Sequence, residues 1–287
     1  MTPVRPVTNH PVTPDRLPAP TVCGRIRAAI WRLLRGEGGT RYSQRYRVAC
    51  LLSVLPLRLD RIFQWFGTDK ERPGDHSYGA TYHRQFARYR YKRMSLLEIG
   101  VLDGASLLSW RAFFPRGRFV GSDILPKDKF SVGRISTYVA DQSSRPDLAA
   151  LCSQHGPFDI VIDDGSHQSG HQIFTFYEVF GALRDDGIYV IEDVQTSFWP
   201  GFFGGTAISA PEFAHTCVGE FLELSKYLNH NEFFSLDNLD ERRLAFAKTI
   251  KSIAFEHNLI IVHKGSNDEP SNYERQARIN GNWGWPA

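Results

Sequence analysis

Two acidic clusters stand out in this chain: IDDGSH at 162–167 and IED at 191–193, each closing an apolar run that reads as a β-strand. Between Asp164 and Glu192 there is room for a helix, Gln172 to Leu183, and a strand, Gly187 to Ile191. That is the length of a right-handed crossover between neighbouring parallel strands. Such strands lie about 4.8 Å apart, so Asp164, Glu192 and Asp193 are expected side by side at the carboxyl edge of the sheet, where open α/β folds take their ligands. Carboxylates that close repel one another unless a proton is retained or a cation neutralises them. An all-oxygen set without Cys or paired His suits Mg²⁺ better than Zn²⁺. His167, three residues after Asp164, is placed to act as general base on a substrate oxygen beside that cation; the alternative is a helix-capping turn, for which Asp-Gly-Ser is ordinary chemistry. His171 reads as structural. Asp163 alternates with Asp164 and should face the other way.

A second constellation points to a nucleoside cofactor. In LLEIGVLDGAS (96–106), Glu98 and Gly100 close a strand and Gly104 opens the next helix, so backbone can approach a ligand without a Cβ in the way. A pyrophosphate fingerprint needs a glycine where this chain has Leu102. S-adenosylmethionine (SAM) carries no phosphate and needs no such cradle, which favours it over NAD. Asp123, at the end of the second strand, suits ribose hydroxyls, and Asp141 and Gln142, after the third, suit adenine.

These residues need a scaffold. Strands are read over Ser95 to Val101, Arg118 to Asp123, Ile135 to Ala140, Phe158 to Ile162 and Gly187 to Ile191, with a closing pair near Ser252 to Glu256 and Leu259 to His263. Helices alternate with the first five, the pattern of a Rossmann-like α/β sheet covered on both faces. The chain is divided into a Pro-rich disordered tail (1–21), a basic helical extension (22–66) whose second helix breaks near Pro56, the catalytic domain (67–265) and a C-terminal tail (266–287).

Composition narrows the classes. Residues 1–66 hold eleven Arg, no Lys and three acids, a net +8 within a chain of +3, so the basic charge belongs to the extension. There, Ile26, Ala29, Ile30, Leu33 and Leu34 follow helical spacing among arginines, and Gly36, Gly38 and Gly39 read as the stop. Residues 25–35 could make weak contact with an anionic membrane surface, although docking on the catalytic domain or a second subunit is the preferred reading. Nothing resembles a recognition helix or stacking sheet for nucleic acid. Four scattered cysteines, Cys23, Cys50, Cys152 and Cys217, without a CxxC, indicate neither a zinc ribbon nor a disulfide scaffold. With no signal peptide and no apolar run long enough to span a bilayer, the expectation is a cytoplasmic protein. After the second acid pair, Thr196 to Gly205 places Phe198, Trp199, Phe202 and Phe203 among glycines, which suits a lid or substrate platform.

The succession GTDK (67–70), His76, Tyr78, Tyr82, LLEIGV, S-L-x-x-W (106–110), Phe114-Pro115, G-x-D-I, DQ, FDIVIDDGSH, YVIEDVQTSFW and GG resembles the macrocin and mycinamicin sugar O-methyltransferases. The resemblance is dense over 67–205, fades toward Lys264 and does not cover 1–66. It implies a class I methyltransferase fold with a seven-stranded sheet, SAM as donor, Mg²⁺ as metal and a sugar hydroxyl of a small-molecule or oligosaccharide acceptor. By position, Asp164, Glu192 and Asp193 match the family's metal ligands and His167 its base. Thr68, Asp69, Lys70, His76 and Tyr78 match the segment over the cofactor site, so Thr68, like Ser106, is assigned to the cofactor. Ala105 and Phe198 depart from the family's glycine and tyrosine, and the second departure bears on substrate specificity. A homo-oligomer is expected. A catechol-type phenolic methyltransferase would use the same metal logic on a planar diol. A hydroxylase on a related scaffold would need a 2-His-1-carboxylate set that is not evident.

Overall fold

The structure, a computed structural model, describes residues 39–201, 208–233 and 238–271. The Pro-rich tail, the 25–35 amphipathic segment, Phe202 to Gly205 of the proposed lid and the chain beyond 271 lie outside the described residues.

Seven strands form one sheet in the order β3-β2-β1-β4-β5-β7-β6. They are β1 (Ser95–Ile99), β2 (Arg118–Asp123), β3 (Ile135–Val139), β4 (Phe158–Asp163), β5 (Leu183–Ile191), β6 (Ile250–Glu256) and β7 (Leu259–Lys264). The first five pair in parallel, and β7 enters antiparallel between β5 and β6. The chain reverses from β6 to β7 through His257 and Asn258, the latter at φ 61°, a left-handed conformation that asparagine tolerates. β1 is an interior strand and is buried along its whole length, Ser95 and Glu98 included.

Alternate strand residues serve two cores. On one face, Leu96, Ile160, Ile162, Val190 and Ile261 pack beneath helices α1 (Gly39–Leu52), α2 (Leu59–Phe66), α3 (Gly79–Phe86) and α4 (Ala105–Phe113). On the other, Leu97, Val161, Tyr189, Ile260 and Val262 pack under α5 (Arg145–His155), α6 (Ser169–Val179) and α7 (Cys217–Lys226). A short α8 (Glu241–Ala247) precedes β6. The first core is aromatic at its centre: Trp110 meets Phe63 and Tyr82 edge-on at 5.0 and 5.5 Å. Truncating so large a buried ring costs about 3–5 kcal/mol.

The extension is part of this core. α1 and α2 are separated at Ser53–Arg58, around Pro56, as expected. Gly39, read as part of a helix stop, opens α1. α2 buries Leu59, Ile62, Phe63 and Phe66, an i, i+3, i+4, i+7 stripe. From α1, Tyr42 donates to the Gly104 carbonyl at 3.0 Å.

Two elements differ from expectation. The helix after the first acid cluster runs from Ser169 to Val179 and ends in a short 3₁₀ turn at Phe180–Ala182. β5 begins at Leu183 because Leu183 pairs with Phe158 before the register shifts and resumes at Ile188. The charged stretch 184–186 hides that start. Among the described residues no helix is long and apolar enough to cross a membrane.

Candidate active site

The carboxyl ends of β1, β2 and β4 open into one cleft. At the tip of β1, Gly100 has φ 93°, and a Cβ there would stand 1.9 Å from the Asp164 carbonyl. Only glycine lets the two loops run backbone against backbone. Gly104, at φ 74°, opens α4 with Tyr42 and Phe130 packed on it. Asp123 is aimed by its own loops, accepting from the Val101 and Leu125 amides at 2.9 Å each, with Lys127 Nζ at 3.4 Å.

The cleft has two compartments. One, of about 240 Å³, is lined by residues including Thr68, Ser106, Asp164, His167 and Asp193. The other, of about 290 Å³, is lined by residues including Ile124, Asp141, Gln142 and His171. Gly100, Asp123 and Gly165 border both. Gln142 is committed to the scaffold: its Oε1 accepts from the Ser166 amide at 2.6 Å and its Nε2 donates to Asp163 and Thr175 at 3.2 Å. Asp141 accepts from the Ser143 amide and hydroxyl, which hold its carboxyl below the usual range. Of the expected cofactor residues, Glu98 and Gly104 line neither compartment. Glu98 is fully buried and accepts from Ser106 Oγ at 2.7 Å and Trp110 Nε1 at 3.2 Å.

The acid clusters meet as their spacing required. Asp163 pairs with Ile191, so Asp164 and Glu192 leave the sheet together. Asp193 and His167 both take left-handed backbone, φ 56° and 58°. Thr196 Oγ1 lies 2.7 Å from the His167 carbonyl and 2.9 Å from that of Asp193, tying the two turns. Asp164, His167 and Asp193 each present a donor atom within 4.8 Å of the others. Glu192 is not in that group. It is buried, and its Oε1 accepts from Lys70 Nζ at 2.7 Å and from Tyr82 Oη at 2.5 Å.

Lys70 is the centre of charge. Its ammonium, 1% exposed, contacts Asp164 at 2.5 Å, Glu192 at 2.7 Å and Glu98 at 3.4 Å. Burial disfavours that charge, but Asp164, Glu192 and Glu98 outweigh it and hold the lysine well above its ordinary value. Burial, then Asp164, pushes Glu192 well above the carboxylate range against the pull of Lys70. Burial also raises Asp164, opposed by Lys70. Asp193 faces different partners: Tyr78 Oη donates to its Oδ1 at 2.7 Å, His76 Nε2 lies 3.3 Å from the same oxygen, and His167 Nε2 lies 3.7 Å from Oδ2. The Nδ1 atoms of His76 and His167 are buried with no hydrogen-bond partner among the described residues.

Spacing and periodicity missed Lys70, His76, Tyr78 and Tyr82; only the family resemblance touched them. One signal was present, a lysine following 66 residues that use arginine alone. His171, read as structural, bonds Ser166 Oγ at 2.9 Å and also borders the second compartment. At the rim, Phe198 stacks obliquely on Phe213 at 5.5 Å, and both Phe198 and Trp199 are exposed.

A comparison with protein-family models finds no match. Individual proteins do match. The chain is 38% identical over 208 residues to the 8-demethyl-8-alpha-L-rhamnosyl tetracenomycin-C 2'-O-methyltransferase of Streptomyces olivaceus, covering 70% of this chain and 53% of that protein. It is 38% identical over 201 residues to the mycinamicin VI 2''-O-methyltransferase of Micromonospora griseorubida, covering 68% and 49%. It is 37% identical over 202 residues to the demethylmacrocin O-methyltransferase of Streptomyces fradiae, covering 68% and 50%. Among solved structures, the MycE methyltransferase of the mycinamycin biosynthetic pathway, in complex with Mg and SAH, superposes with a TM-score of 0.69 at 36% identity, covering 75% of this chain and 56% of that one. The chain spans about half the length of the curated relatives it matches. Over that shared region it has a class I methyltransferase fold and is similar in sequence and structure to the macrocin- and mycinamicin-type sugar O-methyltransferases.

Proposed function

We propose that this chain transfers a methyl group from SAM to a sugar hydroxyl of a glycoside or saccharide, with Mg²⁺ held at Asp164 and Asp193 and His167 as general base. The observation that carries the reading is the convergence of Asp164, His167 and Asp193 within 4.8 Å at one end of the two-compartment cleft. The donor set fits a hard cation: Asp164 and Asp193, two partly exposed carboxylates, face the cleft. The cleft fits a nucleoside sulfonium, because Asp123 stands where both compartments meet and Gly100 keeps the floor open.

Bound there, Mg²⁺ would ease deprotonation of a hydroxyl and SAM would supply an electrophilic methyl carbon. The chain's own residues do the rest. Asp123 orients the cofactor through its ribose. Lys70 holds the acid cluster together, in contact with Asp164, Glu192 and Glu98, and Asp164 and Asp193 are the partly exposed carboxylates at the cleft. His167 takes the hydroxyl proton as the new O–C bond forms and the C–S bond breaks, leaving SAH and a methyl ether. A sugar with two neighbouring hydroxyls suits the paired carboxylates. Relatives named for methylation of sugar hydroxyls support this acceptor class over a phenol.

Methyl transfer from labelled SAM to rhamnosyl glycosides and to catechol, each with Mg²⁺ and with excess EDTA, tests the proposal. Transfer to the glycosides that stops in EDTA and returns with Mg²⁺ is expected. Full activity in EDTA, or transfer to catechol alone, would falsify it.

A further inference from the structure

A third cavity, of about 410 Å³, lies on the other side of Asp193, between the 71–78 segment and the β6–β7 turn. His76 and Tyr78, both in contact with Asp193 Oδ1, form part of its wall. Arg72 borders both this cavity and the compartment that holds Asp164 and His167. The opposite wall is tied to the same strand end, since the Val194 amide donates to the Asn258 carbonyl at 3.2 Å. The cavity therefore adjoins the compartment that holds Asp164 and His167 along Arg72, with His76 and Tyr78 between it and Asp193.

The lining says what that room suits. Its carboxylates are already committed: Glu71 accepts from the Gly79 amide at 2.9 Å, Asp75 pairs with Arg72 at 3.1 Å, and Glu256 accepts from Thr81 at 2.6 Å and pairs with Arg84. Little charge is left over to select an ion. Pro73, Leu259 and Gly74 give apolar surface beside the hydroxyl, amide and imidazole groups of Ser77, Asn258 and His257, a mixed lining that suits the CH and OH groups of a sugar ring. His76, half-buried, stacks on the buried Tyr78 ring with centroids 4.7 Å apart, which fixes this part of the wall.

We infer that this cavity binds a second sugar ring of the acceptor, next to the ring that is methylated. The inference rests on the proposed sugar methylation and adds that the acceptor carries at least two sugars, with the hydroxyl-rich unit, not an apolar one, in contact with Asn258 and His257.

The test is an NMR titration of the full chain with SAH and Mg²⁺, using methyl glycosides of rhamnose, glucose and galactose, the matching disaccharides and the matching 4-nitrophenyl glycosides. At least one disaccharide should bind ten-fold or more tightly than its monosaccharide and shift the Asn258 and His257 signals. Ser77→Trp, which fills the cavity, should remove that gain and leave SAH affinity unchanged. Asn258→Gly, which keeps the left-handed turn and removes the amide, should reduce it several-fold. The inference is overturned if no disaccharide gains over its monosaccharide, if the gain survives Ser77→Trp, or if the nitrophenyl glycosides produce the larger gain at the same signals. Disaccharide gain without methyl transfer would sink the proposed reaction and keep the second-ring site; transfer without any gain would sink this site alone.

Discussion

Lys70 Nζ lies 2.7 Å from Glu192 Oε1 although 122 residues separate them, and the same ammonium is 2.5 Å from Asp164. A buried ammonium thus stands among the carboxylates that the acid clusters bring together. It gives the site an internal cation independent of any metal, and it assigns Glu192 a partner different from those of Asp193.

Lys70→Met should therefore destabilise the fold by about 3–5 kcal/mol, because Glu98, Asp164 and Glu192 lose their buried counter-charge. Mg²⁺ should recover more stability in this variant than in the parent. Urea unfolding with and without Mg²⁺ measures both effects, and an equal Mg²⁺ increment in the two proteins would contradict this role.

Asp164 and His167 share the compartment but should separate functionally. Asp164→Ala is expected to end methyl transfer while SAH binding persists by calorimetry. His167→Ala should slow transfer by about 10²-fold or more with Mg²⁺ affinity nearly retained. A large loss of Mg²⁺ affinity in His167→Ala would make the imidazole a ligand instead of a base.

Gly100→Ala tests the close approach of the β1 and β4 loops. Its Cβ would meet the Asp164 carbonyl at 1.9 Å from a backbone at φ 93°, so the loops must part. Loss of SAH binding or of soluble protein is expected; a variant with parental SAH affinity would show that the approach is not required.

Asp163 sets a pH dependence of stability. Burial pushes its carboxyl up to about 7, against hydrogen bonds from Gln142 and the Gly165 amide. The folded state therefore holds a proton that the unfolded chain releases near pH 4. This contribution is complete below about pH 4, falls as pH rises to about 7 and is lost above, at most about 4 kcal/mol. Asp163→Asn, neutral throughout, should flatten this slope in EDTA and be the more stable protein at pH 8. An unchanged slope of denaturation midpoint against pH would refute it.

Much of the architecture was legible because it rests on local patterns. Short segments rich in apolar and β-branched residues mark β1 to β4, and the crossover length between IDDGSH and IED puts Asp164 beside Glu192. Where polar residues lie inside an element the reading failed: the charged 184–186 stretch concealed the start of β5, because pairing with Phe158, and not side-chain pattern, makes it a strand.

Residue order alone thus settled which acids stand at the sheet's carboxyl edge, since strand period and crossover length are properties of short segments. It did not settle whom each acid faces. Lys70, Tyr78 and Tyr82 arrive from a segment 94 to 122 residues distant, and their contacts with Asp164, Asp193 and Glu192 carry no period along the chain. Packing of α2 and α3 against α4 brings them there. That packing leaves Asp164 and Asp193 facing the cleft while Glu192 is buried against a lysine and a tyrosine.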